Sequence, residues 1–196
     1  MRKLILQIQT SLDMYVCDQI GSTEGFIWNW EPEWTWDDNL QREFIELKKS
    51  IDCILLSRKM ATQGFIDHWH SIANQESNSE SRFARLIDSA KKVIFSRNEG
   101  KSEWPNSDYV KGNLASTINQ LKNQDGKNII VYGGAEFANE VVKTGLLDEL
   151  HLYVNPIVFG GGNNIFTGIP ERTNLRLVDV TGYKCGVAVM KYKKET

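Results

Sequence analysis

The amino-acid sequence predicts a three-layer α/β fold, with a central mixed sheet, helices on both faces of that sheet and an antiparallel carboxyl-terminal part. Over the first three quarters of the chain, short apolar runs alternate with segments of helical periodicity, which is typical of parallel strands joined by helical crossovers. Beyond residue 149, strand patterns follow one another without helices between them, which favours antiparallel pairing. A strand, a Gly-Gly turn and a helix at residues 128–145 link these two regions.

Size and composition predict one domain, residues 1–196, in a cytoplasmic protein. The chain has 41% hydrophobic and 24% charged residues and a net charge of −2, which suits one sizeable core and offers no basic field for nucleic acid. Its three cysteines are too widely spaced for a disulfide framework or a thiolate metal site, so we expect no metal. Neither a signal peptide nor a membrane-spanning run of about 18 apolar residues is recognisable, so we expect no membrane contact.

The elements before residue 100 follow from apolar runs and helical spacing. Continuous apolar runs predict strands that are covered on both faces. Apolar residues three and four positions apart predict helices, and Leu40, Phe44, Leu47 and Ile51 mark the buried stripe of the first one. In chain order, the predicted elements are a strand over 3–10, a helix over 38–50, a strand over 52–57, a short helix around residues 83–87 and a strand over 91–96.

The elements after residue 100 lead into the antiparallel part. Asn113 is a suitable amino-terminal cap for a helix that buries Leu114, Ile118 and Leu121 and stops near Gly126. The remaining predicted elements are strands over 107–110, 129–132, 149–159, 174–181 and 186–193, with a helix between the second and third of these.

The segment 128–145 predicts a site for a diphosphate. Gly133 and Gly134 have no side chains, so a ligand can approach the backbone closely. The free N–H groups at the start of the following helix present partial positive charge to an anion, and Gly145 is suited to a left-handed cap at its end. The alternative is a tight strand-to-helix connection in which the glycines serve only the turn.

Two other predicted strands end in cationic residues. Ser57, Arg58 and Lys59 follow one strand, and Ser96 and Arg97 follow another. Carboxyl ends of parallel strands meet at one edge of a sheet, where ligands bind in α/β proteins. Together with the Gly-Gly turn, these cations could hold a dinucleotide that carries an additional phosphate. The alternative is that they are solvated loop charges.

Five motifs follow one another along the chain: SLDMYV (11–16), LLSRKM (55–60) with GFIDHW (64–69), KKVIFSR (91–97), VYGGAEF (131–137) and LLDELHLYVNPIVFGGG (146–162). In this order they resemble the motifs of bacterial proteins with a dihydrofolate reductase-like fold, especially those similar to the reductase domain of riboflavin biosynthesis. The resemblance implies a reductase that uses NADPH to pass a hydride to a pterin/folate or ribosylaminopyrimidine-type heterocycle. It also implies a homodimer that pairs through the sheet region.

The same resemblance implies which residues bind the cofactor. The diphosphate would meet Tyr132, Gly133, Gly134, Ala135 and Glu136. Other phosphates would meet Ser57, Arg58 and Lys59, the adenosine 2′-phosphate would meet Ser96 and Arg97, and the nicotinamide would lie between Gln9, Thr10 and Val16.

The chain departs from the family pattern at three positions. Met14 stands where the family commonly has Gly, and Ser57 and Met60 replace the Gly and Thr of a Gly-Arg-Lys-Thr-Tyr motif. A Cβ at Ser57 crowds a close cofactor approach, and Met60 lacks a hydroxyl for a phosphate. These departures support a second hypothesis, a non-catalytic nucleotide-binding or ligand-sensing member of the fold. A fused zinc deaminase is excluded for this chain because it has no H-x-E followed by P-C-x-x-C.

Substrate orientation in such a site needs a carboxylate near the heterocycle. Asp37 and Asp38 lie at the entry to the first predicted helix, and Asp38 is our choice of catalytic residue. The alternative is a helix cap or first-turn acid. Asp13 is a second candidate, although in its motif it is better suited to fixing the loop after the first strand.

The clusters of tryptophan and histidine residues do not indicate a specific site. Trp28, Trp30, Trp34 and Trp36 could form a stacking wall for a flat heterocycle, a lid that excludes water, a core cluster or a dimer patch. We interpret His68 and His70, on either side of Trp69, as structural because no third metal ligand accompanies them.

Overall fold

The computed structural model describes residues 1–27, 35–76, 78, 80–97 and 100–195. The chain divides into two compact units. The first comprises residues 1–4 and 45–134, and the second comprises residues 5–44 and 135–196. That the whole chain forms one domain stays a prediction.

Strands and helices alternate through most of the chain. The strands are β1 (Leu4–Thr10), β2 (Ile51–Ser57), β3 (Lys91–Phe95), β4 (Gly100–Lys101), β5 (Ser107–Val110), β6 (Asn128–Tyr132), β7 (Glu149–Val154), β8 (Leu175–Gly182) and β9 (Ala188–Lys194). The helices are α1 (Asp38–Lys49), α2 (Arg58–Met60), α3 (Ile66–Ala73), α4 (Ser81–Ser89), α5 (Leu114–Lys122) and α6 (Ala135–Lys143), with a π-helical turn (Ala61–Phe65) between α2 and α3.

The sheet of the first unit has the strand order β4-β5-β3-β2-β6. The pairs β2–β3, β2–β6 and β3–β5 are parallel, and only β4 runs antiparallel to its neighbour. Central residues of β2, β3 and β6 are almost fully buried, which explains why these strands are apolar along their whole length. Ile51 lies in β2, so its predicted place on the buried stripe of the first helix was wrong.

The segment after β2 is helical, although the sequence predicted no helix there. Gly64 has a φ of 96° inside the π-helical turn and separates the backbone of α2 from that of α3. A glycine can adopt this left-handed conformation without a Cβ clash, but it interrupts the apolar spacing that indicates a helix. In α3, Trp69 is buried, and His70 forms an exposed pair with Asp88, which accords with a structural role for this segment.

The sheet of the second unit has the order β1-β7-β9-β8. Strand β1 is parallel to β7, whereas β7–β9 and β9–β8 are antiparallel, as predicted for the carboxyl-terminal part. The predicted strand over 149–159 was too long, because β7 ends at Val154. Asn155 and Pro156 end the strand: the Asn155 side chain bonds to neighbouring segments, and proline has no N–H for a further ladder bond.

Trp36 belongs to the core of the second unit. It is 3% exposed, and its ring stacks on Tyr153 with centroids 5.6 Å apart and meets Phe44 edge-on at 5.0 Å. Its Nε1 donates a hydrogen bond to the carbonyl of Ile27 at 2.7 Å. The core interpretation is therefore confirmed for this tryptophan. The predictions for Trp28, Trp30 and Trp34 concern residues outside the described part of the chain.

Both units thus contain mixed sheets with helices, and the predicted α/β class is confirmed. Among the described residues, none of the helices has the length and apolar character that a membrane crossing requires.

Candidate functional site

Three parallel strands of the first unit end level with one another. Leu56 on β2 pairs with Tyr132 on β6, and Ser57 on β2 pairs with Phe95 on β3. The residues that follow these pairs therefore leave the sheet at the same edge. The prediction that these three strand ends share one edge is confirmed.

Arg58 and Ser96 meet at this edge. Arg58 begins α2 directly after β2, and Ser96 follows β3. Nη1 of Arg58 lies 3.5 Å from Oγ of Ser96, at the limit of a hydrogen bond. Ser96 is buried, while Arg58, Lys59 and Arg97 are exposed. The edge therefore combines a buried hydroxyl with three solvent-facing cations.

Ser57 uses its side chain to cap α2. Its Oγ accepts a hydrogen bond from the backbone N–H of Met60 at 3.2 Å, and the residue is 9% exposed. One of the N–H groups that the start of this helix could offer to an anion is therefore already bonded within the protein. This contact depends on the side chain of Ser57, and so it reflects the sequence departure at that position.

The Gly-Gly turn continues β6 at the same edge, and Gly134 is exposed. A Cβ built on Gly134 would meet no atom within 4 Å, and φ of this residue lies outside the range that only glycine tolerates. The fold itself therefore does not require a glycine here, which favours the ligand interpretation of this residue over the turn interpretation. Ala135, which is buried, and Glu136, which is exposed, begin α6. Gly145 has the predicted left-handed φ, at 67°.

Lys48 is a buried lysine whose amine lies over the ring of Tyr132. Lys48, at the end of α1, is 1% exposed, and its Nζ lies 4.7 Å from the centroid of the Tyr132 ring. Burial lowers the pKa of Lys48 well below its usual value and raises the pKa of the Tyr132 hydroxyl. The Phe65 ring packs beside the Tyr132 ring, with the two ring centroids 5.3 Å apart. Lys48 was not predicted from the sequence, because a lysine near a helix end is normally a solvated charge.

In the second unit, Asn155 orients the end of β1. Its Nδ2 donates to Oε1 of Gln9 at 2.9 Å, and its Oδ1 accepts from the N–H of Ile27 at 2.8 Å. Thr10 is fully buried, and its Oγ1 has no hydrogen-bond partner among the described residues. A buried hydroxyl in this state is suited to a polar ligand. Asn155 was not predicted as a site residue from the sequence. Its position directly after an apolar strand was the signal that could have indicated it.

Asp13 fixes the loop that follows β1. Its carboxylate accepts from Oγ of Ser11 at 2.6 Å and from the N–H groups of Gly160 and Phe159 at 2.8 and 3.1 Å. The Ser11 hydroxyl has the largest effect on the pKa of Asp13, and with the two amides it outweighs desolvation and lowers that pKa. The loop role predicted for Asp13 is thus confirmed.

The region around the loop that follows β1 has three further features. Met14 has a φ of 66°, in the left-handed region that glycine adopts more easily than any residue with a side chain. The N–H of Val16 donates to the carbonyl of Asn163 at 2.8 Å. The glycine run at 160–162 lies in this loop region rather than in a strand, and Gly162 leaves no room for a Cβ against the carbonyl of Cys17.

Asp37 and Asp38 differ in their surroundings. Oδ1 of Asp37 accepts from the N–H groups of Asn39 and Leu40 at 3.1 and 3.2 Å, which makes Asp37 the cap of α1. Desolvation raises the pKa of Asp37, but the backbone N–H bonds outweigh it and lower that pKa overall. Asp38 is exposed in the first turn of α1. Its catalytic role stays a prediction.

Residues 2–189 match the family model of the RibD C-terminal domain. Among curated proteins, YyaP of Bacillus subtilis, an uncharacterized protein, is 32% identical over 101 residues. This alignment covers 52% of the present chain and 53% of YyaP, so the match spans about half of that relative.

Two solved structures illustrate the similarity of fold. A provisionally assigned riboflavin biosynthesis protein from Shewanella sp. PV-4 is 20% identical, with a TM-score of 0.70 over 99% of both chains. Dihydrofolate reductase from Enterococcus faecalis, solved with NADP(H), is 12% identical, with a TM-score of 0.53 over 99% of the present chain and 97% of its own. At these identities the likeness shows the fold, which is the predicted dihydrofolate reductase-like one.

Proposed function

The chain belongs to the RibD C-terminal domain family, and from this premise we propose that it is an NADPH-dependent reductase. Its substrate is a pterin/folate or a ribosylaminopyrimidine-type heterocycle. The observation that carries the proposal is the alignment of three parallel strand ends, where Arg58 and Ser96 meet beside the open backbone of Gly134.

Residues that follow the strand ends bind the phosphates in this proposal. Ser96 and Arg97 bind the adenosine 2′-phosphate. Arg58, whose Nη1 lies 3.5 Å from Oγ of Ser96, reaches the same phosphate, and a guanidinium can donate two parallel hydrogen bonds to phosphate oxygens. Lys59 adds a positive point charge that attracts the cofactor phosphates. The backbone of Gly133 and Gly134 and the N–H groups that begin α6 bind the diphosphate. Since a Cβ at Gly134 would meet no protein atom, the open space there suits a diphosphate.

A separate set of residues orients the reacting groups. When bound, the reduced nicotinamide supplies the hydride. Asn155 holds the Gln9 amide in one orientation, and the unpaired Thr10 hydroxyl is available to a carboxamide or a heterocycle. Asp38 is the carboxylate that we propose to bind the heterocycle and to hold a proton for it. Because Asp37 is occupied by the helix cap, its neighbour is the better choice.

The test replaces Gly134 with alanine and measures NADPH binding by calorimetry and by quenching of tryptophan fluorescence. We expect NADPH affinity to fall by about tenfold or more while the melting temperature stays unchanged, because the new Cβ contacts only the ligand. Gly182→Ala is the matched control, since Gly182 also has open space and an ordinary φ. Unchanged NADPH affinity in Gly134→Ala would contradict the proposed phosphate site.

A second candidate function is a sensor that binds the nucleotide without turning over a substrate. The cap formed by Ser57 favours it, since that cap removes the Met60 N–H from phosphate binding. The two functions differ in one measurement. Oxidation of NADPH by dihydrofolate or by a ribosylaminopyrimidine supports the reductase, whereas NADPH binding without oxidation by any acceptor supports the sensor.

A further inference from the structure

Two long stretches of the sequence carry acidic residues and hardly any basic ones. Residues 4–41 contain no lysine, arginine or histidine, and residues 144–171 contain no lysine or arginine. The second stretch has one histidine, His151, which is buried in β7 and bonded to Glu149. These stretches include β1, β7 and the loops that follow both strands. The acidic residues of the first stretch are Asp13, Asp18, Glu24, Glu31, Glu33, Asp37 and Asp38.

The register of the second unit's sheet places most of its cations at the other end of β7. Val154, the last residue of β7, pairs with Ala188, whereas Lys193 pairs with Glu149, the first residue. Because a strand rises about 3.3 Å per residue, these two pairs are about 17 Å apart. Lys191, between them, forms ion pairs with two carboxylates, at 3.1 and 3.2 Å. The other cations at the Lys193 end are Lys143, Arg172, Arg176 and Lys194.

Two further cations of this unit face the solvent. Arg42 is exposed in α1, where its Nε donates to the carbonyl of Asp38 at 3.2 Å and its Nη2 bonds to the side chain of Asn39. Lys184 is exposed in the turn between β8 and β9. Among its described residues, the second unit therefore has no buried lysine or arginine.

The buried polar groups at the ends of β1 and β7 are uncharged. Gln9, Thr10 and Asn155 are 6%, 0% and 0% exposed. Nδ2 of Asn155 donates to Oε1 of Gln9, and Oγ1 of Thr10 has no hydrogen-bond partner in the described part of the chain. Amides and hydroxyls can bond to the ring nitrogens and exocyclic groups of an uncharged heterocycle. They cannot neutralise a phosphate, and burying an anion without a cation is costly.

The ionised groups that follow these buried residues are carboxylates. Asp13 comes three positions after Thr10, and its carboxylate accepts from two backbone N–H groups. Asp37, the cap of α1, also accepts from backbone N–H groups, including that of Cys185 at 3.3 Å. Such bonds favour the ionised form of a carboxylate. With the other acids of residues 4–41, they produce a negative potential that repels a phosphate or a carboxylate.

The candidate phosphate site shows the opposite distribution of charge. Arg58, Lys59 and Arg97 are all exposed directly after β2 and β3. No lysine or arginine follows β1 or β7 in the loops at their carboxyl ends. The chain therefore supplies cations for the phosphates of the cofactor but not for a phosphate on the substrate.

Given the proposed reductase function, on which the assignment rests, we infer from these charges that the substrate is a pterin or an aminopyrimidine with an uncharged tail. Its ring binds at the ends of β1 and β7, where the buried partners are neutral. A ribosylaminopyrimidine that keeps its phosphate, or a folate with its carboxylate tail, meets acidic residues there instead of a buried cation.

Two matched pairs of compounds test this substrate class: dihydroneopterin with its monophosphate, and a ribosylaminopyrimidine with its phosphate. Calorimetry with the full-length chain, in the absence of nucleotide, measures the Kd of each compound. We expect the uncharged member of each pair to bind about tenfold more tightly or better. Equal or tighter binding of the phosphorylated members, or no binding of any of the four compounds, would overturn the assignment.

The salt dependence of binding reports the sign of the potential at the site. Raising the salt concentration from about 0.05 to about 0.5 M shortens the range of charge interactions. The Kd of the phosphorylated compounds should then fall because their repulsion is screened, while the Kd of the uncharged compounds stays the same. If the Kd of the phosphorylated compounds rises instead, the site attracts anions and the assignment is wrong.

A lysine introduced after β1 should relax the selectivity. Leu12 is 62% exposed in the loop that follows β1, so Leu12→Lys should leave the melting temperature unchanged. We expect the phosphorylated compounds to bind about threefold more tightly or better to this variant, with no change for the uncharged compounds. Leu12→Gln is the matched uncharged control. Equal affinities of the two variants for the phosphorylated compounds would count against the assignment.

Measurements without nucleotide separate failure of the substrate class from failure of the reductase proposal. A chain that does not bind NADPH but prefers the uncharged compounds contradicts the reductase proposal alone. A chain that oxidises NADPH with a phosphorylated compound, in preference to its uncharged counterpart, keeps the reductase function and contradicts the substrate class.

Discussion

Nζ of Lys48 lies 4.7 Å from the centroid of the Tyr132 ring, one residue before the Gly-Gly turn of the candidate site. Tyr132 ends β6, so the lysine packs against the residue that directly precedes Gly133. A side chain from the end of α1 therefore supports the strand end at which a diphosphate is proposed to bind.

Replacing Lys48 with methionine tests the cost of this buried amine. Burial lowers the pKa of Lys48 below the usual 10.5, so the unfolded chain binds more protons than the folded one between the lowered folded pKa and 10.5. The free energy of unfolding should therefore rise with pH as pH approaches 10.5 in the wild type. Lys48→Met should weaken this rise, as measured by urea unfolding at several pH values. An identical pH slope in both proteins would contradict the prediction.

Arg58→Met should discriminate between the two nicotinamide nucleotides. If Arg58 binds the 2′-phosphate, NADPH affinity should fall by about tenfold, since a hydrogen bond to a charged group contributes about 1.5–3 kcal/mol. NADH affinity should hardly change, and calorimetry with both nucleotides measures the difference. Arg42→Met, at an exposed arginine of α1, is the control. Equal losses of affinity for NADPH and NADH would contradict the assignment of Arg58 to the 2′-phosphate site.

Asp13→Asn should reduce the acid sensitivity of folding. The folded pKa of Asp13 is depressed below 3.8, so its contribution to stability is complete above that value and is lost as pH falls through the folded pKa. Thermal unfolding between about pH 6 and pH 2 should show a shallower loss in Asp13→Asn than in the wild type. Ser11→Ala removes the leading cause of the shift and should act in the same direction. A steeper acid loss in either variant would refute this assignment.

Cys53 should be the slowest of the three cysteines to react with a thiol reagent. It is 1% exposed in β2, and burial raises the pKa of its thiol from 9.0 to about 11. Cys17 and Cys185 are partly exposed. A Cys17→Ser/Cys185→Ser variant isolates Cys53, and its labelling rate should match the opening of the sheet measured by hydrogen exchange. Rapid labelling under native conditions would contradict the buried setting.

The sequence predicted the fold best where a local pattern of residues has a single physical explanation. Unbroken apolar runs predicted β2, β3 and β6, because strands that are covered on both faces have no polar alternation. Since these strands are parallel, their carboxyl ends were also predicted to lie at one edge of the sheet. Asn113 was predicted to cap α5, and its side chain accepts from the N–H of Ser116 at 3.0 Å. These features depend on local chemistry, which a linear sequence displays directly.

Other features depend on tertiary contacts that no local pattern reveals. Burial of Lys48 becomes visible only when α1 packs near Tyr132, and the hydrogen bonds of Asn155 join segments that are more than 100 positions apart in the chain. The bulge at Val178 shifts the register of β8 by one residue, which period-two patterning cannot detect. For the same reason the helix after Gly64 was missed, since a left-handed glycine interrupts its spacing.

The buried hydroxyl of Thr10 has a consequence for the lifetime of the protein. A hydroxyl without a partner costs about 1–3 kcal/mol, and a ligand that accepts its hydrogen bond removes that cost only from the native state. Loaded molecules should therefore open less often and survive proteases longer than empty ones. Cellular abundance would then follow the supply of the ligand, even with synthesis held constant.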